Sequence, residues 1–95
     1  MMSKESKKHY IYIVRCADDT LYTGYTTNLE KRIVEHNGEG NTKAERSAGA
    51  KYTRPRRPVK LVYSEVFASR SEATQREYAI KKMTKPQKEL ILSSR

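Results

Sequence analysis

The sequence predicts a small α+β domain whose elements follow the order strand, strand, helix, strand, helix, helix. Three observations carry that reading. His9 to Cys16 (HYIYIVRC) and Thr20 to Tyr25 (TLYTGY) are rich in β-branched and aromatic residues and are separated by Asp18-Asp19, as in a hairpin. Thr27 with Glu30, and Ser69 with Glu72, form two capping boxes that mark helix starts. A chain of 95 residues can bury one core and not a second.

Each element follows from local pattern. Residues 1–8 read as a disordered leader, and residues 9–92 as the domain. Leu29, Ile33 and His36 at helical spacing give a short helix that ends near Asn37-Gly38, with Arg32 and His36 on one face. Gly38 to Pro58 holds three of the four glycines together with Pro55 and Pro58, and it has no apolar periodicity. It reads as a long loop of the functional kind. Val59, Leu61, Tyr63 and Phe67 then alternate against Lys60 and Ser64 in a third strand from Val59 to Phe67. The second helix runs from its Ser69 cap to about Met83, and Thr84-Lys85-Pro86-Gln87 restarts a terminal helix through Leu92.

Charge narrows the class of partner. Twenty Lys and Arg stand against eleven Asp and Glu, a formal net charge of +9. Such a balance favours a polyanion, either nucleic acid or an anionic lipid surface. Lys43 to Lys60 alone carries a local +6, with Tyr52 and Thr53 set among the basic residues, a mixture suited to phosphate and base contacts. A single cysteine, Cys16, rules out an internal disulfide and a cysteine-based zinc cluster, and it reads as a buried small hydrophobe. The longest apolar run, Tyr10 to Val14, is far too short to span a bilayer, and no hydrophobic signal core follows Met1. A soluble cytoplasmic protein is expected.

Some polar residues fall where apolar ones belong. In the second helix the stripe through Ala73, Ile80 and Met83 also passes through Glu77. An inward carboxylate needs a cation such as Arg76 or Lys81, or a metal. Tyr10 and Tyr12 share a strand face, and Tyr22 is followed by Gly24, a residue that often marks close backbone or ligand approach.

Tyr10-Ile11-Tyr12, Tyr22-Thr23-Gly24, Leu29, Arg32, His36 and the stretch from Ala73 to Lys82, in that order, resemble the GIY-YIG nuclease family. The resemblance is strongest to its small stand-alone bacterial YhbQ-like branch, which Asn37, Ala50 to Arg54 and Pro58 to Leu61 also match. It implies a three-stranded antiparallel sheet flanked by helices and a phosphodiesterase that uses one Mg²⁺ or Mn²⁺. By the same resemblance Tyr12, Tyr22, Arg32, His36 and Glu77 are the catalytic set, with Glu77 the metal ligand. Tyr12 would take the proton from the attacking water, its pKa lowered by Arg32 and metal-bound water, while Tyr22 orients water or phosphate. Gly24, Lys51, Tyr52, Thr53, Arg54, Arg56, Arg57 and Lys81 are the expected nucleic-acid contacts, with Gly24 admitting the substrate to the backbone. DNA is expected in preference to RNA, a monomer in preference to an oligomer, no membrane, and a targeting protein as a possible partner. The pattern departs from the family in two places. No asparagine occurs in Gln87 to Leu90, where many members carry one, and Asn41 to Ala48 looks inserted.

The hairpin supplies a geometric condition on this reading. A two-residue turn at Asp18-Asp19 would set Tyr22 opposite Arg15 and put Tyr12 and Tyr22 on opposite faces. An odd loop or a bulge puts both on one face, and one of these is expected. The competing functions are a nucleic-acid-binding module that keeps the fold without cleavage and, with less support, a peripheral membrane or protein adaptor.

Overall fold

The computed structural model describes residues 7–39 and 53–93. Of the expected leader only Lys7 and Lys8 fall among them, and the proposed insertion at 41–48 lies outside. Strand β1 (His9–Arg15) is the centre of a three-stranded sheet, between β2 (Leu21–Thr26) and β3 (Lys60–Phe67), and it pairs with both in antiparallel fashion. A central strand is covered on both faces, and the Ile11 to Val14 run is accordingly no more than 1% exposed at any position.

The hairpin loop is odd. The Cys16 N–H bonds the Thr20 carbonyl at 2.8 Å and the Asp19 N–H bonds the Cys16 carbonyl at 2.9 Å, leaving residues 17–19 as the turn. Asp19 adopts a φ of 71°, a left-handed conformation that short polar side chains tolerate. Asp18 Oδ1 accepts from both the backbone N–H and the hydroxyl of Thr20. Tyr12 is therefore opposite Gly24, and Val14 opposite Tyr22. Tyr10, Tyr12 and Tyr22 share one face.

Helix α1 (Leu29–His36) covers that face, where Leu29 and Ile33 pack with Tyr12, Val14, Cys16, Tyr22 and Val59. Its cap is Asn28 rather than the expected Thr27, because Thr26 is still paired in β2 and the chain needs one more residue to turn. Asn28 Oδ1 accepts from the Lys31 N–H at 3.1 Å. The opposite face packs Ile11, Ile13 and Leu21 against Ala73 and Ile80 of α2 (Arg70–Lys81), with Met83, Ile91 and Leu92 alongside. Ser69 caps α2 as expected, its hydroxyl accepting from the Glu72 N–H. The helix stops at Lys81, so Met83 lies in the turn before α3 (Lys85–Ser93). Arg15 forks onto Glu89 at 2.9 and 3.0 Å and also bonds Asp19, which Lys85 meets at 3.1 Å. These bonds tie α3 to the hairpin turn. No helix among the described residues is long and apolar enough to cross a membrane.

Strand β3 departs from the expected pattern. It starts at Lys60, and its register against β1 shifts between the Ile13–Tyr63 and Val14–Leu61 pairs. A bulge of this kind reverses the alternation. Val59 lies with the α1 cluster while Tyr63 and Phe67 pack on the α2 side, so the single face read from the sequence is in fact two. Asn37 anchors the approach to β3. Its side-chain amide donates to the Val59 carbonyl at 3.1 Å and accepts from the Val59 N–H at 2.6 Å, in the manner of a strand partner. Asn37→Ala leaves both backbone groups unpaired and is expected to cost about 1–3 kcal/mol, read as a lower urea midpoint with an unchanged slope.

Candidate functional site

The site is assembled around the Tyr12 hydroxyl. Tyr12 is 1% exposed, and its oxygen lies 2.7 Å from His36 Nε2. His36, fully buried at the last turn of α1, has its other nitrogen, Nδ1, 2.8 Å from the Thr53 hydroxyl. A neutral imidazole offers one donor and one acceptor, so the ring donates one of these bonds and accepts the other. Arg32, one turn before His36, sets its guanidinium against the Tyr12 hydroxyl and pairs with Glu35 at 2.9 Å.

The electrostatics correct one expectation. Burial pushes the Tyr12 phenol up to about 12; Arg32 pulls the other way, and the charges of Tyr22 and Glu77 raise it further. The lowering expected from Arg32 is present but smaller than the cost of taking a phenolate out of water. His36 moves down to about 4, again by burial first, with the Arg32 and Arg57 charges adding to it. The pair is therefore neutral near pH 7.

Tyr22 is placed differently. It is half-buried, its ring meets His36 edge-on at 5.3 Å between centroids, and Lys81 Nζ stands 5.9 Å from the ring centroid. The same ammonium pairs with Glu77 at 3.1 Å. The inward carboxylate thus has the cation that its position requires, and the other candidate, Arg76, is taken by Glu65 at 3.0 Å. The Glu77 side chain remains 19% exposed. No three His, Cys, Asp or Glu residues converge among the described residues. One accessible carboxylate, with water and phosphate for the remaining positions, is a donor set that fits a hard divalent cation.

The five expected catalytic residues are thus linked: Tyr12 to His36 and Arg32, Tyr22 to His36, and Glu77 to Tyr22 through Lys81. Several of the expected nucleic-acid contacts also hold the fold. A Cβ on Gly24 would run into the Tyr12 hydroxyl and ring, so the glycine makes room for that side chain. Thr53 is 0% exposed and holds His36, which sequence reading could not show because its partner is distant in the chain. Arg57 Nε bonds the His36 carbonyl, and its guanidinium lies where a Cβ on Gly38 would stand. Arg56, in the 3-10 turn Arg54–Arg56, pairs with Asp18 at 3.0 Å, and its carbonyl accepts from the Ala17 N–H. Lys51, Tyr52 and the Arg54 side chain lie outside the described residues. Cys16 is buried as expected, and burial pushes its thiol up.

His36 makes folding depend on pH. Its folded pKa of about 4 lies below the ordinary histidine value near 6.5, so between them the unfolded chain holds a proton that the folded chain lacks. The stability of the neutral ring is complete above about pH 6.5 and is lost as pH falls toward 4, by about 2–3 kcal/mol. Urea midpoints measured from pH 7 to pH 4 are expected to show this loss, and His36→Gln is expected to remove that component of the slope.

Comparison with known proteins agrees with this geometry. The model of the GIY-YIG catalytic domain matches residues 8–90. A UPF0213 protein of Staphylococcus haemolyticus is 53% identical over 88 residues, which is 93% of this chain and 98% of that protein. Another, of Clostridium perfringens, is 53% identical over 92% of this chain and 85% of its own length. The solution structure of the UPF0213 protein BH0048 of Bacillus halodurans has a TM-score of 0.57 at 40% identity, covering 93% of this chain and 85% of that one. That of the E. faecalis protein EF2693 has a TM-score of 0.59 at 45% identity, covering 99% and 90%. With motif order, sheet register and linked side chains all in agreement, the chain belongs to the GIY-YIG family, in its UPF0213 group.

Proposed function

We propose that this domain hydrolyses phosphodiester bonds of nucleic acid, DNA in preference to RNA, with Glu77 as the protein ligand of one Mg²⁺ or Mn²⁺. The observation that carries the proposal is the linked set Tyr12, His36, Arg32, Tyr22, Lys81 and Glu77, which the odd hairpin loop and the packing of α1 and α2 bring to one end of the sheet. The cation would polarise the scissile phosphate and neutralise the leaving oxygen.

The chain's own groups divide the remaining tasks. Tyr22 is the more accessible phenol and has an ammonium beside its ring, so in this reading Tyr22 gives up its own proton to solvent and, as the phenolate, receives that of the attacking water. Tyr12, buried and raised to about 12, stays protonated and holds Arg32 and His36 in place. This reverses the roles expected from the sequence. Arg32 supplies hydrogen bonds to the non-bridging oxygens as charge grows on them. The water oxygen forms the new bond to phosphorus, the ester oxygen leaves, and a 5′ or 3′ phosphate results. In this reading cutting has little sequence preference and is directed by strand structure or by a protein partner.

A second reading, binding without cleavage, draws on the Glu77–Lys81 ion pair, which already neutralises the carboxylate. One experiment separates the two. Labelled single-stranded, duplex and branched DNA, with RNA alongside, is incubated with the protein in Mg²⁺, Mn²⁺ or EDTA. Products are expected only with metal, and Glu77→Ala is expected to lower their rate by about 10²-fold or more while binding in EDTA is not weakened. A Glu77→Ala protein as active as wild type would sink the proposal; salt-dependent binding with no products would establish the second reading.

A further inference from the structure

The stretch from Gln87 to Leu90 lies in α3. Gln87 closes the start of α3: its Oε1 accepts from the Thr84 N–H at 2.9 Å, and its own N–H faces the Thr84 hydroxyl at 3.4 Å. Glu89 is forked on Arg15. Leu90 is 69% exposed. Lys88 is half-buried and lines a shallow depression with Thr20, Leu21 and Lys85. The next residue of β2 is Tyr22.

Lys88 also differs from its neighbours in its pairing. Lys85 has Asp19 at 3.1 Å, Lys81 has Glu77 at 3.1 Å, and Lys82 lies 4.5 Å from the centroid of the Tyr78 ring. Among the described ion pairs none includes Lys88. The charge that reaches it is a like one, Lys81, and together with burial it holds the Lys88 ammonium below the usual lysine range. A half-buried cation outside the described ion pairs destabilises the free fold. An oxyanion bound beside it supplies the missing counter-charge.

We propose that Lys88 and Lys81 form a binding site for a backbone phosphate of the nucleic acid at the Tyr22 edge of the sheet. The inference rests on the nucleic-acid reading above but not on cleavage. Lys81 is positioned to serve it because it stands between Glu77 and the Tyr22 ring, where the strand would pass. Lys88 reaches the same edge from α3, so the two cations come from different helices and fix a point along the substrate.

The test is equilibrium binding of a fluorescent single-stranded DNA in EDTA across a salt series, with melting of the free proteins alongside. Lys88→Gln is expected to weaken binding about 5-fold or more at low salt and to reduce the salt slope by about one. Lys88→Arg is expected to bind within about 2-fold of wild type, and Lys82→Gln likewise. Because the unpaired charge strains the free protein, Lys88→Gln is expected to raise its Tm by roughly 1–4 °C while binding falls. Lys88→Met keeps the apolar stem and puts the same question if glutamine disturbs packing. Binding by both neutral variants equal to wild type, or weakened no more than by Lys82→Gln, overturns the proposal. So does a fall in Tm that accompanies the loss of binding, the mark of a packing role. Metal is absent, so a protein that binds through Lys88 and never cuts DNA upholds this site while refuting the nuclease reading. One that cuts with metal but binds equally well without Lys88 does the reverse.

Discussion

A tyrosine hydroxyl buried at the centre of a sheet has no water to bond, and meeting that need organises this domain. An unsatisfied buried hydroxyl costs about 1–3 kcal/mol. His36 satisfies Tyr12 at 2.7 Å, and in doing so brings a second polar group into the core that needs a partner of its own, which Thr53 supplies at 2.8 Å. The bonds therefore run from β1 through the end of α1 to the segment before β3. Arg57 secures the same histidine from its backbone side by bonding the His36 carbonyl. One residue thus ties three separate stretches of chain, and Gly24 is small because the Tyr12 ring must lie over it.

This arrangement depends on the parity of a turn. With residues 17–19 as the loop, Tyr12 and Tyr22 share the face that α1 covers; with one residue fewer, Tyr22 would point toward α2 and away from His36. The turn is correspondingly well held. Asp18 bonds Thr20 within the loop and Arg56 outside it, while Asp19 takes Arg15 from β1 and Lys85 from α3. Exposed pairs of this sort add little stability one at a time. Their effect here is geometric, since every alternative turn would have to give up contacts to several elements together.

Much of this is legible in the sequence because it is local. The Ser69 cap, the Thr84–Gln87 restart, the β1–β2 hairpin and even the odd loop follow from short-range chemistry or from the condition that two tyrosines meet. The motif residues are legible because they recur in a known order. The unread parts are the ones fixed by distant partners. Thr53 looks like a surface residue among arginines until His36 is seen beside it, and Arg56 and Arg57 look like phosphate contacts until Asp18 and the His36 carbonyl are found to hold them. The β3 bulge escapes because Val59, Leu61, Tyr63 and Phe67 all fall at odd positions, and only the pairing with β1 shows the face change between Leu61 and Tyr63. Asn37 was legible only as a motif residue; its bonds to Val59 span a loop that sequence cannot close.

The two motif tyrosines are alike in sequence and unlike in structure, and the difference divides the site into a packed half and an open one. Tyr12, His36 and Thr53 are each no more than 1% exposed and bonded to one another, so this half of the site contributes to the core. Tyr22, Glu77 and Lys81 sit at the open edge, where the contacts are an edge-on ring, a cation over a phenol and one ion pair that is partly in water. Contacts of that kind break and re-form at little cost, as the role proposed for Tyr22 requires. The basic residues follow the same division: Arg56 and Arg57 are drawn into holding the fold, whereas Lys81 and Lys88 are gathered where the sheet edge is open. The net charge of +9 is therefore not a uniform coat. Part of it fastens the buried tyrosine, and part surrounds the accessible one.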